Sequence, residues 1–589
     1  MDLLFFWFRL LSFFFIILSF PHVKQTEILS ERKSIFLFFL FLFFLSRRRM
    51  TAPTHRLRQR TLESLWGRGG TKTPMAASTV SHEDRYIRLP WSRENQCNRK
   101  PSQLRGNWDV IVAILSADTS KNMENFRDLL KRLYFYGSSR FISCLPCFGT
   151  LCLVIDSIMT PSERVAFFHV TLPWMKRRVI DGPVVLPRDL HALSQGESRR
   201  LILTHEEAAT LLTCGFFSLF PGRCSNSRSK SKSSDKTASF DFADLFSLAP
   251  PGRIESQVAK IRCLLQYFIY CSHHADAVGT CLEFYRVSFL SFPDLGKSLN
   301  PMQSVTMLEE GLIEDNYGSL QVDFANKYVG GGVLRTGCVQ EEIRFMICPE
   351  LLLSCLFTEP LLDNEVLFMS GAGQYSVSVG YASGFRFIRG HSPHFAKFGA
   401  ATSTPREIWV ELVPTSLRNE KDCTAVMLRN SCVVAMDAIN YCGCEEKQYL
   451  ASSIIRETRK AFAAFKGIPD SILTSVHSGP VATGNWGCGA FSGDRELKTM
   501  IQWCAASEAK RPLIYSSIND SDLCYRFGLV YKKLQEEEWT VGDVFTALLL
   551  FSQRYTTNPT SLEEGSLFQY ILSLKNPRCA SSHSGPEFE

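Results

Sequence analysis

Apolar positions recur at helical spacing through much of the first half of the chain. Over 122–136, Met123, Phe126, Leu129, Leu130 and Leu133 fall on one face and predict an amphipathic helix. A second helix is predicted over 204–217. Thr204 is placed to cap it, Glu206 and Glu207 suit its first turn, and Ala209, Leu211, Leu212 and Phe216 supply its apolar face. A third covers 254–270. From about Cys281 the period changes. Alternation over 282–290 predicts a strand, and short apolar strands follow at 320–324, 365–368, 407–413 and 432–439. Helices are predicted over 342–356, broken at Pro349, and over 451–465 and 497–507. Elements alternating in this way predict an α/β domain whose mostly parallel or mixed sheet carries helices on both faces. Such a sheet binds ligands at the C-terminal ends of its strands.

The pattern divides the chain into an N-terminal extension (1–74), a helical accessory region (75–275) and an α/β domain (276–589). A Ser/Lys/Arg stretch at 223–236 lacks apolar anchors and reads as a solvated loop, with nuclear import as its functional alternative. The extension holds the densest apolar runs, 3–20 and 35–45. The first is long enough to span a bilayer, but Asp2 stands where a signal peptide wants positive charge and Arg9 interrupts the run; the second is too short. Arg32, Lys33 and the triplet Arg47, Arg48, Arg49 leave a signal anchor with basic flanks as one reading. The other is translated non-coding sequence ahead of a start at Met50 or Met75, since Phe, Leu, Ser and Ile share pyrimidine-rich codons; the composition favours it. Residues 47–60, with six arginines and no acid, predict a basic disordered tail.

Composition narrows the class. The 589 residues are 45% hydrophobic and 21% charged, which excludes wholesale disorder and fibrous repeats. The net charge of +7 is too small for this length to select a partner. The 20 cysteines are scattered and not set in a dense framework, which indicates a reducing compartment. Of 45 phenylalanines, many crowd the extension.

Two loops at strand ends carry the candidate chemistry. The first runs Val322-Asp323-Phe324-Ala325-Asn326-Lys327-Tyr328-Val329-Gly330-Gly331-Gly332 and leads to Gln340-Glu341-Glu342. Three successive glycines let backbone amides approach a ligand. Adjacent carboxylates repel, so one should hold a proton near neutral pH and serve as a general acid, whereas a helix N-terminus favours the anion. Acids in a first helical turn are also ordinary caps. The second loop, Thr483-Gly484-Asn485-Trp486-Gly487-Cys488-Gly489-Ala490-Phe491-Ser492-Gly493-Asp494, runs from a strand into a helix. Its amides and the helix dipole suit an anion. It has neither the Gly-Lys-Ser/Thr of a Walker loop nor dinucleotide glycine spacing, so it predicts a phosphate cradle of another kind.

In combination these loops resemble the poly(ADP-ribose) glycohydrolase family over about 201–555. The resemblance implies a macrodomain-like α/β (α+β) fold, a mixed sheet flanked by helices with an N-terminal helical accessory region. It implies hydrolysis of the ribose-ribose O-glycosidic bonds of poly(ADP-ribose), releasing ADP-ribose without cofactor or metal. Residue by residue, Glu342 looks like the acid/base, Glu341 like the holder of ribose hydroxyls and Asp323 like an orienting carboxylate. Asn326 and Gln340 would add polar contacts, and Gly330, Gly331 and Gly332 would shape the loop around the scissile ribose. Tyr381 looks like the adenine-stacking residue. Gly484, Asn485, Gly487, Gly489 and Phe491 belong to the loop that would wrap the diphosphate. The family normally has Gly where this chain has Ser492, and an aromatic near Ile518. The implied partner is poly(ADP-ribose) on modified proteins, met by a monomer in nucleus and cytoplasm during the DNA damage response, without sequence-specific nucleic-acid binding. The alternatives are a macrodomain that binds ADP-ribose without cutting it, a hydrolase of mono-ADP-ribosyl esters and, for location, a membrane-anchored protein.

Other groupings predict less. Cys144 and Cys147 have metal spacing but no second pair, Cys271, His273, His274 and Cys281 form a loose cluster at a helix end, and Cys442-Gly443-Cys444 reads as a turn. Arg456, Arg459 and Lys460 are expected on a solvated helix face.

Overall fold

The computed structural model describes residues 86–92, 107–137, 147–220, 240–274, 280–392, 407–410, 426–429, 431–468, 477–557 and 565–576. The Phe-rich runs, the basic tail at 47–60, Cys144 and the 223–236 stretch lie outside the described residues. Among the described residues no helix is long and apolar enough to cross a membrane.

The helical region is built on Asn107–Ala117, Met123–Gly137, Leu172–Ile180, His205–Phe216 and Ile254–His273. The helix over His205–Phe216 starts where its cap predicts. Glu207 N–H donates to Thr204 Oγ1 at 3.1 Å, and the Glu207 carboxylate accepts from Thr204 N–H at 2.8 Å. Its core is aromatic: Phe126 packs edge-on against Phe167 (5.6 Å between centroids) and Phe216 against Phe268 (5.4 Å). The rings of His273 and His274 turn back onto the carbonyls of Ile269 and Tyr270, each at 2.8 Å, which accounts for both imidazoles as helix-end partners.

A two-stranded ribbon pairs Tyr86–Ile87 (β1) with Leu190–His191 (β2). The main sheet takes Arg199–Thr204 (β3), Thr280–Ser288 (β4), Val305–Leu308 (β5), Leu320–Asp323 (β6) and Glu365–Ser370 (β7). A small hairpin follows, Ser376–Val379 (β8) and Arg386–Gly390 (β9). Glu407–Val410 (β10), Val426–Arg429 (β11), Cys432–Ala435 (β12), Val481–Gly484 (β13) and Leu513–Ser516 (β14) complete the sheet. The order is β10-β11-β4-β7-β12-β6-β13-β14-β5, with β3 added antiparallel on β4. The sheet is mixed, as expected. β12, β6, β13, β14 and β5 run parallel, and β7 is antiparallel to both β12 and β4.

β6, β7, β12 and β13 are buried along their whole length, as strands covered on both faces must be. The helical region and the helix Gln340–Ile347 share one core; Ala451–Phe465, Arg495–Glu508, Ser521–Glu536 and Val541–Thr557 pack into another. β3, from the chain before residue 275, belongs to the sheet. The helical region is further tied in by the buried Arg286 of β4, which donates to Leu193 O at 2.9 Å and Pro360 O at 2.8 Å and pairs with Glu365.

One expectation is corrected. Arg456 and Lys460 are not on a solvated face: Lys460 is fully buried, paired with Asp437 at 2.7 Å, and Arg456 reaches the same carboxylate at 2.6 Å. Buried basic residues of this kind keep their charge only through such partners, and periodicity does not reveal them. Arg459 lies over the Phe292 ring.

Candidate active site

β6 and β13 are neighbouring parallel strands, in register from Leu320 opposite Val481. Both glycine loops leave from their C-terminal ends, so the sheet brings together two segments about 150 residues apart in sequence.

The first loop folds onto its own carboxylates. Gly330 (φ 92°) and Gly331 (φ 51°) adopt the left-handed region, where a Cβ is penalised. A Cβ on Gly331 would stand 2.6 Å from Glu341 Oε2 and 2.6 Å from Glu342 Oε1. Glu341 accepts from Gly330 N–H at 2.6 Å and Asn326 N–H at 3.0 Å; Glu342 accepts from Gly332 N–H and Val339 N–H, each at 2.8 Å. Glu342 is thus a helix cap, the bland reading of its position, but both carboxylates are also buried against the glycine loop, which a cap does not require. Asp323 is fully buried at the end of β6, and neither of its carboxylate oxygens has a hydrogen-bond partner among the described residues.

Burial pushes Asp323 well above the usual carboxylate range, Glu342 adds to the push, and Arg344 opposes it. Burial likewise raises Glu341, joined by Asp323 and Glu342, against the amides of Asn326 and Gly330. Asp323 and Glu341 therefore share a space in which they cannot both ionise freely, and each holds its proton more firmly than an exposed carboxyl does.

Gln340 ties the helix to the strand end: its Oε1 accepts from Phe324 N–H at 2.8 Å and its Nε2 donates to Val322 O at 3.1 Å. The Asn326 side chain turns its own loop by accepting from Tyr328 N–H at 3.0 Å. Tyr381 is 54% exposed. Its hydroxyl oxygen faces the Gln340 backbone and lies 3.8 Å from a Cβ placed on Gly489, so the ring stands between the two loops.

In the second loop the amides of Gly487, Gly489, Ala490 and Phe491 meet no acceptor among the described residues. They lead into Arg495–Glu508, whose first turn is capped by Asp494 accepting from Leu497 N–H at 2.8 Å. Free amides ahead of a helix N-terminus make a site for an anion. Asn485 braces the loop from below: its Nδ2 donates to Ser517 O at 2.7 Å and its Oδ1 accepts from Tyr515 Oη at 3.0 Å. Gly484 closes against Ser516 O, and Phe491 packs at the edge of the core. Trp486, wholly buried, anchors the loop to Met436 O at 3.0 Å. Lys498 lies beneath it, 3.9 Å from the Trp486 ring and 3.0 Å from Glu457, both charges buried. Ser492 and Ile518 hold φ of 56° and 57°, a conformation glycine adopts without strain and a β-branched side chain does not. Cys442-Gly443-Cys444 is a turn, with Gly443 at φ 75°.

Sequence reasoning missed three contributors. Gly337 packs so closely that its Cβ would lie 2.8 Å from Glu342 Oε1, but a glycine outside the triplet carries no signal alone. Lys260 and Lys498 are buried lysines inside amphipathic helices, where charge ordinarily marks the solvated face.

A mixed α/β sheet with an acidic glycine loop and a second glycine loop at adjoining strand ends is a macrodomain-type arrangement. A family model described as poly(ADP-ribose) glycohydrolase, macro domain fold, matches residues 292–525, and one for the helical domain of the same family matches 159–286, taking in β3 and most of β4. Poly(ADP-ribose) glycohydrolase 1 of Arabidopsis thaliana is 32% identical over 476 residues, covering 71% of this chain and 84% of the relative. Probable poly(ADP-ribose) glycohydrolase 2 of Arabidopsis thaliana is 27% identical over 478 residues, 72% and 84% of the two chains. Poly(ADP-ribose) glycohydrolase 1 of Caenorhabditis elegans is 32% identical over 300 residues, 49% of this chain and 35% of the relative. The chain belongs to the poly(ADP-ribose) glycohydrolase family.

Proposed function

We propose that this chain is a glycosidase that hydrolyses poly(ADP-ribose) to ADP-ribose, acting on the polymer carried by modified proteins. The observation that carries the reading is the junction at the ends of β6 and β13: buried carboxylates on a glycine loop stand beside four free amides on an anion loop. The second loop would hold the diphosphate, and Tyr381 would stack on the adenine. That places the adjoining ribose toward the first loop. Glu342 would protonate the departing ribose oxygen as oxocarbenium character develops, then take a proton from the attacking water. Glu341 and Asp323, which burial inclines to hold protons, would position ribose hydroxyls and keep the pocket from accumulating negative charge. We place the enzyme in the nucleus and cytoplasm, acting as a monomer.

The test compares wild type with Glu342→Gln on purified poly(ADP-ribose), following release of ADP-ribose, with calorimetry of ADP-ribose binding. Loss of at least a thousandfold in kcat with Kd unchanged supports the assignment. A wild type that binds the polymer without cutting it is a reader. One that cuts only mono-ADP-ribosyl esters has a different substrate.

A further inference from the structure

The return of the glycine loop is held from outside the α/β domain. Three successive carbonyls, of Arg335, Thr336 and Gly337, accept hydrogen bonds from side chains at the start of the helix Ile254–His273. Lys260 Nζ donates to Arg335 O and Gly337 O, each at 2.7 Å, and Arg253 Nη1 donates to Thr336 O at 3.0 Å. Arg253 and Lys260 are seven residues apart, two helical turns, so both point from one face. Lys260 is fully buried, and its ammonium is placed where the turn would otherwise leave inward carbonyls without donors.

The held turn bears directly on the acid/base. Gly337 N–H donates to Gly332 O at 3.1 Å, Gly332 N–H donates to Glu342 Oε1 at 2.8 Å, and a Cβ on Gly337 would stand 2.8 Å from that same oxygen. We propose that Lys260, assisted by Arg253, is a positioning residue: from the helical region it fixes the 332–337 turn and thereby the orientation of Glu342. The inference rests on the acid/base reading of Glu342. It gives the helical region a part in the chemistry through a named contact.

The groups facing Lys260 are Cys338 and Glu342, which favour its charged form, and Arg253, which opposes it. Burial dominates and pushes Lys260 down to about 8, while the Cys338 thiol is pushed up to about 11. Lys260 therefore loses its proton as pH rises through about 8. A neutral amine still has two N–H donors but weaker, uncharged bonds.

The experiment measures kcat and ADP-ribose Kd for wild type, Lys260→Met and Arg253→Ala between about pH 6 and 9.5, with thermal melting as a check on folding. Wild type is expected to decline in kcat through about pH 8, and Lys260→Met to lower kcat at least tenfold, with Kd within threefold of wild type, and to lack that decline. Arg253 is exposed, so Arg253→Ala should fold, lose about threefold in kcat, and keep that decline. Variants that retain wild-type kcat, or that lose Kd in parallel with kcat, overturn the proposal. If Lys260→Met does not fold, Arg253→Ala and the wild-type profile decide it. A wild type without hydrolase activity overturns the functional reading instead.

Discussion

Replacing Gly331 by Ala tests whether the glycine loop exists to let two carboxylates close on backbone. The left-handed φ of 51° makes a Cβ there cost about 1–2 kcal/mol in stability. The specific effect is larger. The new carbon would stand 2.6 Å from oxygens of both Glu341 and Glu342, against an ordinary contact of 3.4 Å, so carboxylates or loop must yield by about 0.8 Å. A misplacement of about 1 Å in a catalytic group costs roughly a hundredfold. Gly331→Ala is therefore expected to lower kcat about 30- to 100-fold in ADP-ribose release from the polymer, with ADP-ribose Kd little changed. Gly196 supplies the control: its φ is 80° and nothing lies within 4 Å of its Cβ. Gly196→Ala carries comparable backbone strain without touching the carboxylates, and should lose stability of the same order with unchanged kcat. A Gly331→Ala enzyme with kcat within threefold of wild type refutes the reasoning, as does an equal loss in both variants.

Two further outcomes follow from buried charge. Because burial raises Asp323, the folded state holds more protons than the unfolded state above the ordinary carboxylate pKa, so wild-type stability falls as pH rises through that window. Asp323→Asn should be more stable than wild type in urea denaturation at about pH 8, and the difference should shrink as pH is lowered toward about 4; a constant difference contradicts the assignment. Lys498→Met leaves Glu457 without its buried ammonium, though Ile439 N–H still donates at 2.7 Å and Arg456 Nη1 stays at 3.5 Å. A loss of about 3 kcal/mol in urea denaturation is expected, the lower end for breaking a buried pair, together with weaker ADP-ribose binding by calorimetry. Stability within about 0.5 kcal/mol of wild type contradicts it, since that is the range of an ordinary surface substitution.

Both glycine loops were legible because their residue types are costly anywhere else. The helix at His205–Phe216 was legible from its cap, and the break at Pro349 separates Gln340–Ile347 from a 3-10 turn at Pro349–Leu353 as expected. Val305–Leu308 and Leu513–Ser516 were not anticipated. The membership of Arg199–Thr204 in the sheet was hidden, since its partner lies beyond an intervening 20-residue helix, Ile254–His273. Lys260, Lys460 and Lys498 share one cause. Each sits in an amphipathic helix where a lysine normally marks the solvent side, and only tertiary partners, two carbonyls for Lys260, Asp437 for Lys460 and Glu457 for Lys498, explain its burial.

The two loops solve opposed electrostatic problems within one site, which explains why the anion loop uses amides. An arginine gripping the diphosphate would be the stronger ligand. Placed about 4 Å from Glu341 at an effective dielectric of about 20, a guanidinium would favour the ionised carboxylate by about 4 kcal/mol, or about three pKa units. That would cancel what burial achieves at Glu341 and Asp323 and leave them as anions crowding Glu342. Two buried cations near the first loop are already engaged, Lys260 with two carbonyls and Arg344 with Gln321 at 2.5 Å. Beneath the second loop the charge of Lys498 is opposed by Glu457. The amides of Gly487, Gly489, Ala490 and Phe491, which meet no acceptor among the described residues, carry only partial charges, whose influence fades within a turn of chain. They suit a doubly charged diphosphate while leaving the neighbouring acids free to hold protons.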